Sequence, residues 1–276
     1  MTQKPNVRIA EGGLVAGPNN EINGLTLQGV GHGTTVEYVQ VHNNQDDGVE
    51  WFGGTVNARY LVLTGNDDDD IDYDEGYQGN IQFAIIRKDQ NKAAPTGSND
   101  PRGIEANSSD GDFVKETNAV LANILVLGGP VNNSDGGEQP GMRLRGALTT
   151  AIYNTAVKDF DTGCIRIDDA DTNPSVDGNE ELSDVTLVNV IGDCADGFYD
   201  KRNADTETNA VAGPVAVDAS YALTGGSANV TAPSIPEVDN GSGFTFEDTD
   251  YIGAVEPGTA EDETWWSGWI IEGSLD

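Results

Sequence analysis

Three observations predict that the chain folds as an all-β, single-domain parallel β-helix of right hand, with inserted loops and a Trp-rich C-terminal cap. Short blocks of alternating apolar and polar residues recur at 24–29, 48–53, 70–74, 103–106, 141–146 and 164–168. A second apolar strand follows each block after a turn, at 36–41, 60–63, 81–86, 121–127, 152–157 and 185–191. Their spacing is the third observation. The blocks lie about 22 to 24 residues apart where the repeat is plain, and about 33 to 38 where a loop is inserted, as at 88–101, 107–117 and 170–181. One coil of a parallel solenoid needs roughly that many residues, and alternate side chains fill its narrow interior. A leucine-rich repeat would show a ladder of regularly spaced leucines, which is missing, and a β-sandwich would not repeat in this paired way. The coils are expected over about 21–223 and an irregular or capping segment over about 224–276, all within one domain spanning 1–276.

Composition supports each element. The 276 residues include 30 Asp, 35 Gly and 24 Asn, residues that favour turns over helices. With 47 acidic against 14 basic side chains, the net charge is −33. Nucleic acid is therefore excluded as a partner, because no basic stripe exists to meet phosphates. No apolar run reaches the length of a membrane span, and residues 1–20 lack the basic start and apolar stretch of a signal peptide. Met1-Thr2-Gln3-Lys4-Pro5 reads as a start placed on a mature fragment, and the low lysine and high Asp, Asn and Gly content leads us to expect an extracellular or bacterial cell-surface location.

Motifs for several chemistries are absent. With two histidines (His32 and His42), two cysteines (Cys164 and Cys194), and no C-x-x-C or H-E-x-x-H, zinc and iron sites are not expected. Nor is there a nucleophile elbow, a Walker A loop or a dinucleotide fingerprint. What remains is carboxylate and guanidinium chemistry. If Leu25/Leu27, Val49/Trp51, Ile71/Tyr73, Met142/Leu144 and Ile165/Ile167 point inward, their neighbours form an outward column. In coil order that column runs Thr26/Gln28, Glu50/Phe52, Asp72/Asp74, Glu105/Asn107, Arg143/Arg145 and Arg166/Asp168. Coils are about 4.8 Å apart, so Glu50, Asp72, Asp74 and Glu105 make a dense anionic ligand-binding patch beside Arg143, Arg145 and Arg166. Such a patch suits a hard cation, and Ca²⁺ is the expected cofactor, bridging to a sugar carboxylate that the arginines clamp. The plainer alternative is a ladder of surface ion pairs. A second acidic column occupies the turns, with Asp46, Asp47, Asp67, Asp68, Asp69 and Asp70, and later Asp159/Asp161 and Asp193/Asp196. Together with Asp72 and Asp74, the six aspartates of 46–47 and 67–70 are the candidate metal ligands, although solvated turn aspartates would look the same.

The stretches 25–47 (LTLQGVGHGTTVEYVQVHNNQDD), 48–65 (GVEWFGGTVNARYLVLTG), 141–146 (GMRLRG) and 265–269 (WWSGW) resemble bacterial secreted and surface β-helix proteins of the pectate-lyase-like superfamily. That resemblance covers about 21–200 and the tail. It implies the fold, and as an alternative function a calcium-dependent polysaccharide lyase on acidic glycans, with Arg143, Arg145 or Arg166 removing the proton α to the carboxyl. Asp46-Asp47 is also similar to the paired acids of polygalacturonase-type glycosidases, but the accompanying basic and histidine motifs are missing, so hydrolysis ranks below elimination. The expected function is a secreted or cell-surface calcium-binding β-helix that binds an acidic polysaccharide or another surface component. A purely structural or adhesive solenoid is the third reading.

Trp265, Trp266 and Trp269 are expected to cover the open end of the core. Cys164 and Cys194, 30 residues apart, are close enough to one expanded coil to form a disulfide across adjacent coils, or to remain two buried thiols.

Overall fold

The computed structural model describes residues 5–13, 17, 22–89, 100–108, 116–129, 132–133, 137–146, 148–168, 183–201, 207–208, 210–225 and 234–276. Most of the inserted segments at 88–101, 107–117 and 170–181 lie outside the described residues. Strands are numbered in chain order. One sheet contains β2 (Leu25–Gln28), β4 (Val49–Phe52), β6 (Ile71–Asp74), β8 (Ile104–Asn107), β12 (Met142–Arg145), β14 (Ile165–Ile167) and β16 (Tyr199–Lys201), side by side in that order. The other contains β1 (Val7–Ala10), β3 (Val36–His42), β5 (Ala58–Thr64), β7 (Asn80–Arg87), β9 (Asn118–Leu127), β13 (Thr149–Lys158), β15 (Asp184–Asp193), β17 (Glu207–Thr208) and β18 (Val211–Ala212). All pairings in both sheets are parallel, and the chain crosses from one sheet to the other in every coil, which makes a parallel β-helix. A side pair, β10 (Asn132–Asn133) with β11 (Gly137–Glu138), is antiparallel and stands apart from the solenoid.

Register follows the hydrophobic pattern. Leu25, Val49, Ile71, Ile104, Met142 and Ile165 pair in one line, and Leu27, Trp51, Tyr73, Ala106, Leu144 and Ile167 in the next. Both lines belong to the central core, where Trp51 and Tyr73 are fully buried. A slip of one residue would send each of these side chains to the outer face, so the burial itself holds the register.

The long strands depart from simple alternation. Tyr38, Tyr60, Phe83, Asn123, Asn154 and Asn189 occupy equivalent positions in successive coils, and all have φ between 46° and 61°. Each bends its strand sharply and resets the in-and-out pattern, so that Ile81 and then Ala84 and Ile86 face inward across the bend at Phe83. Asparagine tolerates this left-handed conformation because its short amide bonds locally. Aromatic residues do not, and their strain is offset by stacking, with ring centroids 4.5 Å apart for Tyr38/Tyr60 and 5.2 Å for Tyr60/Phe83.

The Trp-rich tail lies elsewhere than expected. It packs along the flank of the solenoid, on the outer face of the nine-stranded sheet. Trp266 and Trp269 join Tyr38, Val62, Ile85, Leu125, Ala156 and Ile191 in a second apolar cluster. The bend explains this, because resetting the alternation leaves Val62, Ile85 and Leu125 outward, and that apolar strip requires cover as much as an open end does. Carboxamides fix the tail by its main chain. Gln82 accepts from the Glu247 amide and donates to its carbonyl, each at 2.9 Å, and Asn80 does the same to Val238 at 2.7 and 3.2 Å. Replacing the fully buried Gln82 by Ala should cost about 1–3 kcal/mol by leaving the backbone groups unpaired. Denaturant titration reads the loss, and faster proteolysis within 234–276 locates it. The tail has no other regular structure than a short 3-10 turn at Glu261–Glu263.

Candidate functional site: an acidic turn stack and an arginine face

The acidic site is built where the turns before β4 and β6 stack on the start of β8. Gly48 permits the close approach, since a Cβ there would lie 2.6 Å from the Asp70 carbonyl oxygen. Side chains extend the ladder from coil to coil. Oδ1 of Asp47 accepts from the Asp69 amide at 2.9 Å, and Oδ1 of Asp69 accepts from the Arg102 amide at 2.9 Å. Oδ1 of Asp68 accepts from the Asp100 amide at 2.8 Å. These aspartates thus tie neighbouring coils together through one oxygen each, leaving the second for other partners.

Three triads of carboxylates have ligand oxygens within 4.8 Å of one another: Asp46/Asp47/Asp68, Asp47/Glu50/Asp72 and Asp69/Asp72/Glu105. Shared members Asp47 and Asp72 join them into one continuous patch. Such crowding is expensive. Burial, then the neighbouring carboxylates, push Asp47 and Asp72 well above the ordinary carboxylate range. Burial likewise raises Glu50 to about 8 and Asp68 to about 7, and burial with Glu75 beside it raises Asp74 to about 7. Asp69 is raised by burial despite Arg102.

Two buried cations that sequence inspection missed relieve part of this patch. The Lys88 Nζ lies 2.8 Å from Oδ2 of Asp70, with both side chains shut away from solvent. Arg102, 2% exposed, reaches Asp69 at 3.3 Å, Glu105 at 3.2 Å and Asp100 at 3.1 Å. A signal for Arg102 existed: in Arg102-Gly103 it holds the place before the strand-opening glycine that Asp47 holds in Asp47-Gly48. Lys88 follows β7 at the edge of an inserted loop and has no counterpart in the repeat.

The outward column pairs in register, Thr26, Glu50, Asp72, Glu105, Arg143 and Arg166 in one line, and Gln28, Phe52 and Asp74 in the next, which also pairs Asn107 with Arg145. Arg145 meets Glu105 at 2.9 Å, Arg143 meets Asp168 at 3.0 Å and Glu105 at 3.7 Å, and Arg166 meets Asp168 at 2.9 Å. Lys201 adds a fourth cation, 3.4 Å from Asp168. Burial pushes the Glu105 carboxyl up, but Arg102, Arg145 and Arg143 outweigh it and hold the group below the usual value. Asp168 is held down in the same way by hydrogen bonds from Arg166 and Arg143 against the effect of burial. The face therefore changes sign along the axis, acidic over β4 and β6 and basic from β12 onward.

The candidate metal ligands divide. Asp46, Asp47, Asp68, Asp69 and Asp72 come together, and Glu50 and Glu105 join them from the outward column. Asp70 turns to Lys88, while Asp67 and Asp74 belong to none of the triads. Asp159, Asp161 and Asp193 line a separate cleft of about 480 Å³ beside Cys194 and form no triad. Cys164 and Cys194 are joined as a disulfide, with Cα atoms 5.4 Å apart.

Among the described residues, no helix is long and apolar enough to cross a membrane. No curated protein and no solved structure matches the chain. The family model for the pectate-lyase-like beta helix domain, however, matches residues 5–269, and with the coil-by-coil parallel pairing it places this chain in that family.

Proposed function

We propose that this protein is a secreted or cell-surface β-helix that binds Ca²⁺ in its acidic turn stack and holds an acidic polysaccharide, or a similar surface component, against the arginine face. One observation carries the reading. The carboxylates of Asp47, Glu50 and Asp72 converge within 4.8 Å, and none has a Lys or Arg ion-pair partner among the described residues. Oδ1 of Asp72 is buried without any hydrogen bond. An all-oxygen set of this kind fits a hard divalent cation, which would supply the positive charge that Lys88 and Arg102 supply a few ångströms away. Asp47, Glu50 and Asp72 would hold the ion, and its remaining positions would take water or a sugar carboxylate. The disulfide supports an oxidising compartment.

The arginines favour binding over elimination. A base must give up its proton, and Arg143, Arg145 and Arg166 each hydrogen-bond a carboxylate that stabilises the charged form. Retention of pectate, alginate and other acidic glycans on immobilised protein tests the reading. With calcium present, at least one glycan should be retained, and Arg143→Gln with Arg145→Gln should weaken retention ten-fold or more, corresponding to about 1.4 kcal/mol or more. Formation of an ultraviolet-absorbing unsaturated product would move the protein to the lyases. If no glycan is retained, the arginine face is an ion-pair ladder and the solenoid is structural.

A further inference from the structure

A separate cleft lies at the start of β3 and β5, between the long-strand sheet and the tail. It encloses about 180 Å³ and is lined by His32, Glu37, Asn57, Arg59, Ser242 and Phe244, among others. Glu37 and Arg59 are register neighbours on β3 and β5, so the sheet itself fixes an acid and a guanidinium side by side. The tail closes the other wall, held by the Asn57 Nδ2 donating to Oγ of Ser242 at 3.0 Å and by the Arg59 guanidinium over the Phe244 ring at 4.2 Å. Arg59 also lies 3.7 Å from Glu247 and donates to the Thr245 carbonyl. The Glu37 carboxylate and the His32 ring are exposed and not engaged by other side chains among the described residues.

Size and charge limit the occupant. A cavity of about 180 Å³ holds about six waters, which suits one sugar ring and is below the usual range for a larger ligand. Arg59 is already balanced by Glu247, and Glu37 adds a further negative charge on a chain of net charge −33. A carboxylated sugar is therefore repelled. A neutral ring is not, and its hydroxyls both donate and accept, matching a wall of carboxylate, guanidinium, amide and hydroxyl groups beside an aromatic side chain.

We propose that this cleft is a subsite for one neutral pyranose, with a ring hydroxyl accepting from the Arg59 guanidinium and another donating to Glu37. The site is independent of the acidic turn stack and the arginine face, so its failure would leave the proposed function standing. Saturation-transfer NMR on the intact protein with glucose, galactose, mannose, N-acetylglucosamine and galacturonate tests it. At least one neutral sugar should receive saturation, and added galacturonate should not displace it. Arg59→Gln should weaken the neutral sugar ten-fold or more. Because Arg59 also holds the tail, Glu37→Gln serves as the second variant: its side chain is exposed, its circular dichroism should be unchanged, and it should weaken the same sugar. Arg143→Gln should have no effect. The proposal is overturned if no neutral sugar receives saturation, if galacturonate competes with it, or if binding survives both cleft variants.

Discussion

Millimolar Ca²⁺ should raise the melting temperature of the protein by about 5–10 °C over that in EDTA, because an ion bound only by the folded chain adds about 2.7 kcal/mol at a hundred-fold excess over its dissociation constant. The effect should disappear in Asp72→Asn and shrink in Asp47→Asn, where the amide oxygen still accepts from the Asp69 backbone while the charge is gone. The pH dependence in EDTA has a definite sign. Glu50 is raised from 4.5 to about 8, and Asp68 and Asp74 from 3.8 to about 7, so the folded chain holds protons that the unfolded chain has released. Stability from these groups is complete below the unfolded values and is lost as pH rises through about 7 to 8. Calcium should flatten that decline, since it replaces the protons. Denaturant titrations across this range with and without the ion check both statements. Identical curves in EDTA and calcium would remove the metal from the proposed function.

Arg102→Met should be the more damaging change, costing about 3–5 kcal/mol, because it leaves Asp69 and Glu105 buried without the guanidinium that lies 3.3 and 3.2 Å from them. Glu105 would keep Arg143 and Arg145, so the larger share of the loss should fall on Asp69. With Arg102 gone, the Asp69/Asp72/Glu105 triad loses its own cation and becomes a better site for an external one. The variant should therefore gain more stability from calcium than the parent does. A loss below about 1 kcal/mol would indicate that the pair is no stronger than an exposed one. Equal calcium gains in variant and parent would separate the Arg102 cluster from the metal site.

The amino-acid sequence determined the coil. Its apolar residues alternate with period two in short blocks that return after one circuit, and only stacking coils in that register buries Leu25, Val49 and Ile71 together. The outward lines were legible for the same reason: once the inward residues are known, Glu50, Asp72, Glu105 and Arg143 have only the other face to occupy. Tertiary structure alone decided the rest, because those features depend on the chain bending out of its period. Tyr60 and Phe83 carry no local mark of a left-handed bend, and it takes the stacked coils and the tail to hold them there. That bend turned the Trp-rich segment from an expected end cap into a cover for the flank. Lys88 enters the acidic stack across coils, paired with Asp70 eighteen residues before it, and no repeat pattern predicts it. Charge follows the same division: sequence counts the carboxylates, whereas burial and approach within a few ångströms decide that Asp70 is neutralised from within while Asp47, Glu50 and Asp72 crowd together with no Lys or Arg ion-pair partner among the described residues.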